Sequence, residues 1–330
     1  MEYWLPVIYM AVMGLALLIY VVLDGYDLGV GMLMPLASEA EKDVMVSSIG
    51  PFWDANETWI VLGVGVLLIA FPTAHGIVLT HLYLPVTLML MGLILRGVAF
   101  DLRVKAGDHR KRLWNRAFFA GSLVAAVSQG WMLGSYVTGL QSGAVEVLFA
   151  ALIALTLPAL YVVLGSGWLI MKTEGELLDK AVRWARWSVW PMGVALLLVS
   201  IATPLVSADI AGRWFSWPNA LWLAPVPLLT LLAFATILYV LQHDAVLHGG
   251  RAWLLFAATI AICLLASLGL AYSIYPDIVI GQLTIWEAAA SVASLQFTLV
   301  GVVMTLPLIL VYTVYVYKVF HGKATELSYQ

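Results

Sequence analysis

The sequence predicts an all-α integral membrane protein with nine transmembrane helices, arranged as two four-helix bundles plus one peripheral helix. Three observations carry this expectation. Hydrophobic residues make up 63% of the chain of 330 and charged residues only 11%, whereas a soluble domain carries about 25% charge. The apolar residues fall in long runs, and a spanning helix needs about 20 of them. The Lys and Arg residues gather in alternate connections, as they do around membrane spans.

Read in order, the spans run roughly over 6–33, 52–71, 76–98, 115–139, 144–170, 187–206, 220–242, 252–274 and 289–318. The start, Met-Glu-Tyr-Trp, lacks the basic stretch of a signal peptide, so the first run is expected to stay as a span. Spans two and three are joined by Pro72-Thr73-Ala74-His75 and should form a tight antiparallel hairpin. The charged stretch from Arg96 to Arg116 is expected to be a loop after span three. Of the 16 Lys and Arg, 15 follow odd-numbered spans or lie in the tail, and Arg213 alone lies on the opposite side. Basic residues stay on the cytoplasmic side of short loops, which puts the N-terminus outside and the C-terminus inside.

A weak internal repeat suggests the domain plan. Tyr20-Val21-Val22-Leu23 recurs as Tyr161-Val162-Val163-Leu164, and Trp53 and Trp59 have counterparts in Trp184 and Trp190. A unit of four spans gives two halves of the same orientation. The expected division is a first bundle over 1–140, a second over 141–275, and a ninth helix with a cytoplasmic tail over 276–330.

The functional signal lies in the first half. Asp24-Gly25-Tyr26-Asp27-Leu28-Gly29-Val30-Gly31 closes the first apolar run, and Pro51-Phe52-Trp53-Asp54-Ala55-Asn56-Glu57-Thr58-Trp59 opens the second. Intramembrane acids are costly and commonly handle protons or ions. Asp24 and Asp27, three apart, share one side of a continuing helix. They could equally mark the water boundary, with the glycines ending the helix. Asp54 and Glu57 in a first helical turn suit the helix dipole. The aromatic surface of Phe52, Trp53 and Trp59 around them favours a proton-carrying role. Arg96 lies deep enough to neutralise one of the acids, with Asp101 and Arg103 following as further charge partners. Gln129 and Gln296, inside spans, suit interhelical hydrogen bonds. In the second half Gly165-Ser166-Gly167-Trp168 replaces the first acidic motif.

Other chemistries find little support. Cys263 is the single cysteine, so no disulfide or CxxC site forms within the chain. His75, His81, His109, His243, His248 and His321 lie mostly in loops or at span ends, and offer no deep bis-histidine haem pair. No phosphate-binding or dinucleotide fingerprint is present. The net charge of −3 says nothing about nucleic acid, and no nucleic-acid partner is expected.

The ordered segments 24–32, Ser48 to Trp59, Ala70-Phe71-Pro72 and Arg96 to Arg103 resemble subunit II of cytochrome bd-type quinol oxidases. Glu57, Gln129-Gly130 and the short length are more similar to the cyanide-insensitive branch. The resemblance implies a nine-helix partner of a haem-bearing subunit I. That enzyme oxidises quinol near the outer face of the bacterial inner membrane and reduces oxygen to water without pumping. It implies two b-type haems and one d-type (or b-type) haem in subunit I, none ligated by this chain. Asp54 matches the motif aspartate associated with proton delivery, and Asp24 and Asp27 match the acids of the first helix. Glu57 departs from the glutamine of the longer branch. A structural quinone is a feature of some members, with Trp53 the candidate residue for binding it; a single-helix accessory subunit and membrane lipid are further expected partners. The rival expectations are a proton- or cation-coupled secondary transporter, or a passive membrane scaffold.

Overall fold

The computed structural model describes residues 2–324, apart from the side chains of Asp108, His109 and His248. Two expectations, the histidine reading at His109 and His248 and the end of the predicted tail, fall partly outside the described residues. The described residues contain nine helices long and apolar enough to cross a membrane.

The chain begins with α1 (Trp4–Leu33), then α2 (Glu39–Ile49), α3 (Trp53–Ala70), α4 (Pro72–Lys105), α5 (Asp108–Val137) and α6 (Ala144–Lys172). It continues through α7 (Gly175–Val206), the short α8 (Ala208–Phe215) and α9 (Asn219–Leu223), α10 (Pro225–Gln242), the single turn α11 (Asp244–Val246), and α12 (Trp253–Ile274). A small antiparallel pair, β1 (Asp277–Val279) and β2 (Leu283–Thr284), leads into α13 (Ile285–Ala288) and α14 (Val292–Val319).

Two expected connections turn out to be helix. Residues 72–75 form the first turn of α4, where Pro72 needs no amide partner. The stretch from Arg96 to Arg116 is not a loop: α4 runs to Lys105 and α5 starts at Asp108. Along its path α4, 34 residues with a kink at Leu82, measures about 51 Å, well beyond a hydrocarbon core of about 30 Å. Its charged end therefore leaves the apolar layer without ceasing to be helical.

α1 is the central element. It packs against α3, α5, α6, α12 and α14. Its crossing with α6 is set by glycine: a Cβ on Gly29 would lie 1.8 Å from the Tyr161 carbonyl oxygen, and one on Gly165 would lie 2.5 Å from the Gly29 carbonyl carbon. Small residues at that spacing let two backbones touch. The largest buried cluster runs from Tyr26 and Leu28 through Tyr161 and Trp168 to Ile237 and Ile262, so the two halves share one core. By contrast, only 6% of the apolar windows of the α10 and α14 spans is buried, and both helices turn most of their surface outward.

A single glutamine joins α1, α5 and α6. Gln129 on α5 donates to the Tyr20 hydroxyl at 2.6 Å and accepts from the Tyr161 hydroxyl at 2.6 Å. The two matched tyrosines thus meet on one glutamine, which fills the interhelical role expected of it. Gln296 is exposed on α14.

Candidate functional site: a buried acid–arginine cluster

α1 does not end at its aspartates. It continues to Leu33, and Asp24 and Asp27 are both fully buried. The glycines of this motif therefore do not end the helix, as the boundary reading expected. Arg96, 1% exposed on α4, reaches across to α1 and α3 at once. Its Nη1 lies 2.5 Å from Asp24 Oδ1 and its Nη2 lies 2.8 Å from Glu57 Oε2. Arg96 thus sits between a carboxylate of α1 and one of α3. Close backbone packing of α4 on α5 helps to set the depth, because Gly121 faces the Arg96 backbone with room for no side chain.

Asp27 takes a different partner. Asn56 Nδ2 donates to Asp27 Oδ2 at 2.9 Å and to the Tyr26 hydroxyl at 2.8 Å. Asp24 Oδ2, Asp27 Oδ1 and Arg96 Nε are buried and bond to no other described group. Buried polar atoms normally find a partner, in protein or in ordered water. All three belong to one charged cluster.

Glu57 connects this interior to the surface. Its side chain is 29% exposed, and it lines a groove of about 460 Å³ between α3 and α4. Trp53, Asp54, Thr58, Gly97 and Asp101 line the same groove. Asp54 and Asp101 are exposed there, and neither pairs with Arg96. Trp53 packs on Phe100, ring centres 5.0 Å apart. The groove thus sets two exposed carboxyl groups beside one that touches a buried arginine.

Arg103 belongs elsewhere. It is buried, donates to Asn115 at 2.5 Å, and pairs with Asp43 of α2 at 2.7 Å. Asn115 in turn donates to Glu39 at 2.9 Å, and Lys180 of α7 pairs with Glu41 at 2.7 Å. This second network fastens α2 across the basic ends of α4, α5 and α7. Asp101, expected as a charge partner, forms no ion pair among the described residues.

Asn56, Tyr26, Tyr317, Trp168 and Lys172 were not singled out as site residues. Trp168, standing where the first motif has Asp27, stacks on Tyr26 with ring centres 4.2 Å apart. Lys172 donates to the carbonyls of Phe320 and Gly322 and lies over the Trp168 ring. The only advance signal was placement: Tyr26 and Asn56 lie within the two acidic motifs.

Among the described residues, no group of three or more His, Cys, Asp or Glu side chains is placed to hold a metal ion. His81, His243 and His321 are exposed, each with Nδ1 at a carbonyl of its own helix or helix end.

Fold and site together define a polytopic helical membrane protein with an acid-lined groove beside a buried ion-pair cluster. The family model for cytochrome bd terminal oxidase subunit II matches residues 5–320, and the chain belongs to that family. It is 28% identical to the cytochrome bd-I ubiquinol oxidase subunit 2 of Escherichia coli K12, over 97% of this chain and 95% of that one. It is 42% identical to the cytochrome bd ubiquinol oxidase subunit 2 of Bacillus subtilis over 31% of each chain. The fold is similar to a chain of the bd oxidase from Geobacillus thermodenitrificans, with a TM-score of 0.78, 17% identity, and coverage of 96% and 98%.

Proposed function

We propose that this chain, as subunit II of a quinol:oxygen oxidoreductase, carries cytoplasmic protons toward the oxygen-reducing site of a haem-bearing subunit I. The observation that carries the reading is the continuity from exposed Asp54 and Asp101, through half-exposed Glu57, to buried Arg96 and Asp24. Oxygen reduction to water consumes protons in a low-dielectric interior. A carboxylate can accept and release them where solvent cannot follow. Asp24 and Glu57 share one arginine, which offsets the cost of burying their charge.

The wider assignment follows the family. The partner subunit would hold two b-type haems and one d-type (or b-type) haem, and oxidise quinol near the outer face without pumping. The chain would lie in the bacterial inner membrane, N-terminus outside and C-terminus inside, as the distribution of basic residues favours. A first bundle over 1–140, a second over 141–275 and a separate ninth helix remain the organisation suggested by the repeat. Trp53, on the groove wall, is the residue we assign to a structural quinone. Lipid and a single-helix accessory subunit complete the set of partners.

Co-purification tests the assignment. The pair should show haem bands in a reduced-minus-oxidised spectrum and consume oxygen on quinol, whereas the solitary chain should show neither. Stoichiometric haem on the solitary chain would overturn it.

A further inference from the structure

The ninth helix is mostly peripheral, yet its last turn reaches the acid cluster. Three groups from three helices close a ring there. Asn56 Nδ2 on α3 donates to the Tyr26 hydroxyl of α1 at 2.8 Å. The Tyr317 hydroxyl of α14 donates to Asn56 Oδ1 at 3.0 Å. The two hydroxyls lie 2.6 Å apart. A phenol has one proton to give, and that of Tyr317 is committed to Asn56. Tyr26 is therefore the donor between the hydroxyls, and all three bonds run the same way round the ring. Such circuits polarise one another and strengthen together.

The consequence falls on Asp27. With Oδ1 of Asn56 held by Tyr317, its amide nitrogen must face the aspartate, where it donates to Oδ2 at 2.9 Å. A long third contact of the same nitrogen, 3.4 Å, goes to the Leu23 carbonyl. Tyr317 is itself held in place. Phe52 packs on its ring at 4.5 Å, and Lys172 ties the end of α14 through Phe320 and Gly322.

We infer that Tyr317, acting through the ring with Tyr26 and Asn56, is a positioning residue for Asp27. The ring occupies Oδ2 and leaves Oδ1, which bonds to no other described group, as the oxygen that takes up and gives off a proton. This role rests on the proton-relay reading above.

The test uses the purified two-subunit oxidase, with Tyr317→Phe, Tyr26→Phe and Asp27→Asn compared. Each tyrosine variant opens the ring but keeps the aromatic packing, so either serves if the other assembles poorly. Both should keep wild-type haem content, with at most a small fall in melting temperature. Their oxygen consumption per haem should fall roughly threefold or more, with the midpoint of its pH profile displaced by about half a unit or more. Wild-type turnover and a superimposed pH profile in both, while Asp27→Asn is slow, would overturn the ring and leave the relay standing. Wild-type turnover in Asp27→Asn would overturn the relay at Asp27 and the ring's role with it.

Discussion

Arg96 Nη1 lies 2.5 Å from Asp24 Oδ1, with 1% and 0% of the two side chains exposed. Removing one partner of a buried pair strands the other, at a cost of about 3–5 kcal/mol. Arg96→Leu should therefore lower the yield and melting temperature of the assembled complex. Adding Asp24→Asn in the same chain should recover part of that loss, because no unpaired ion then remains at this contact. Equal losses in the single and double variants would show that the two charges are not coupled.

The α1–α6 crossing makes a steric prediction. Gly29→Ala would put a Cβ 1.8 Å from the Tyr161 carbonyl oxygen, while Gly14 on the same helix has nothing within 4 Å. Forced repacking of a tight contact costs about 1–3 kcal/mol. Thermal unfolding of the detergent-solubilised complex should show Gly29→Ala clearly destabilised and Gly14→Ala close to wild type. Matching melting temperatures would contradict the close approach.

The docking of α2 should depend on pH. Burial works to raise the Glu41 carboxyl, but hydrogen bonds from Lys180 and from Ser38 outweigh it and hold it below the ordinary value of 4.5. A depressed carboxyl stabilises the folded state fully above its unfolded value and loses that contribution as pH falls through its folded value. Hydrogen exchange, corrected for intrinsic rates, should show α2 amides keeping full protection above about pH 5 and losing it as pH falls further, through the folded value below 4.5. Glu41→Gln should begin less protected, by about 0.2–1 kcal/mol after solvent screening, and respond less to acid. Identical pH dependence in the two proteins would remove Glu41 from this role.

The spans and the acids were legible in the residues for a simple physical reason: apolar runs and charges inside them are local features. Asp24, Asp27, Glu57 and Arg96 all announced themselves as charge where hydrocarbon should be. The span ends were less legible, because a hydropathy window stops at the first cluster of charge whereas the backbone hydrogen bonds of α4 continue to Lys105. That error hid the true environment of Arg103, which faces Asp43 and Asn115 rather than the acid cluster. Tyr317 was invisible for a different reason. It lies 261 residues from Asn56, in a helix whose repeated tyrosines give no sign of which one turns inward. Long-range pairing of neutral polar groups leaves no local pattern to read.

Oxygen consumption per haem in the purified complex tests the proton relay most directly. Asp54→Asn keeps the shape of the groove mouth but cannot carry a proton through its ionised form. Turnover should fall about tenfold or more with normal haem content, and further when Asp101→Asn removes the second exposed carboxyl group. Glu57→Gln should act in the same direction more weakly, since a glutamine oxygen still accepts from Arg96. Wild-type turnover in both Asp54→Asn and the Asp54→Asn, Asp101→Asn double variant, across the working pH range, would contradict the account and leave the chain a passive scaffold.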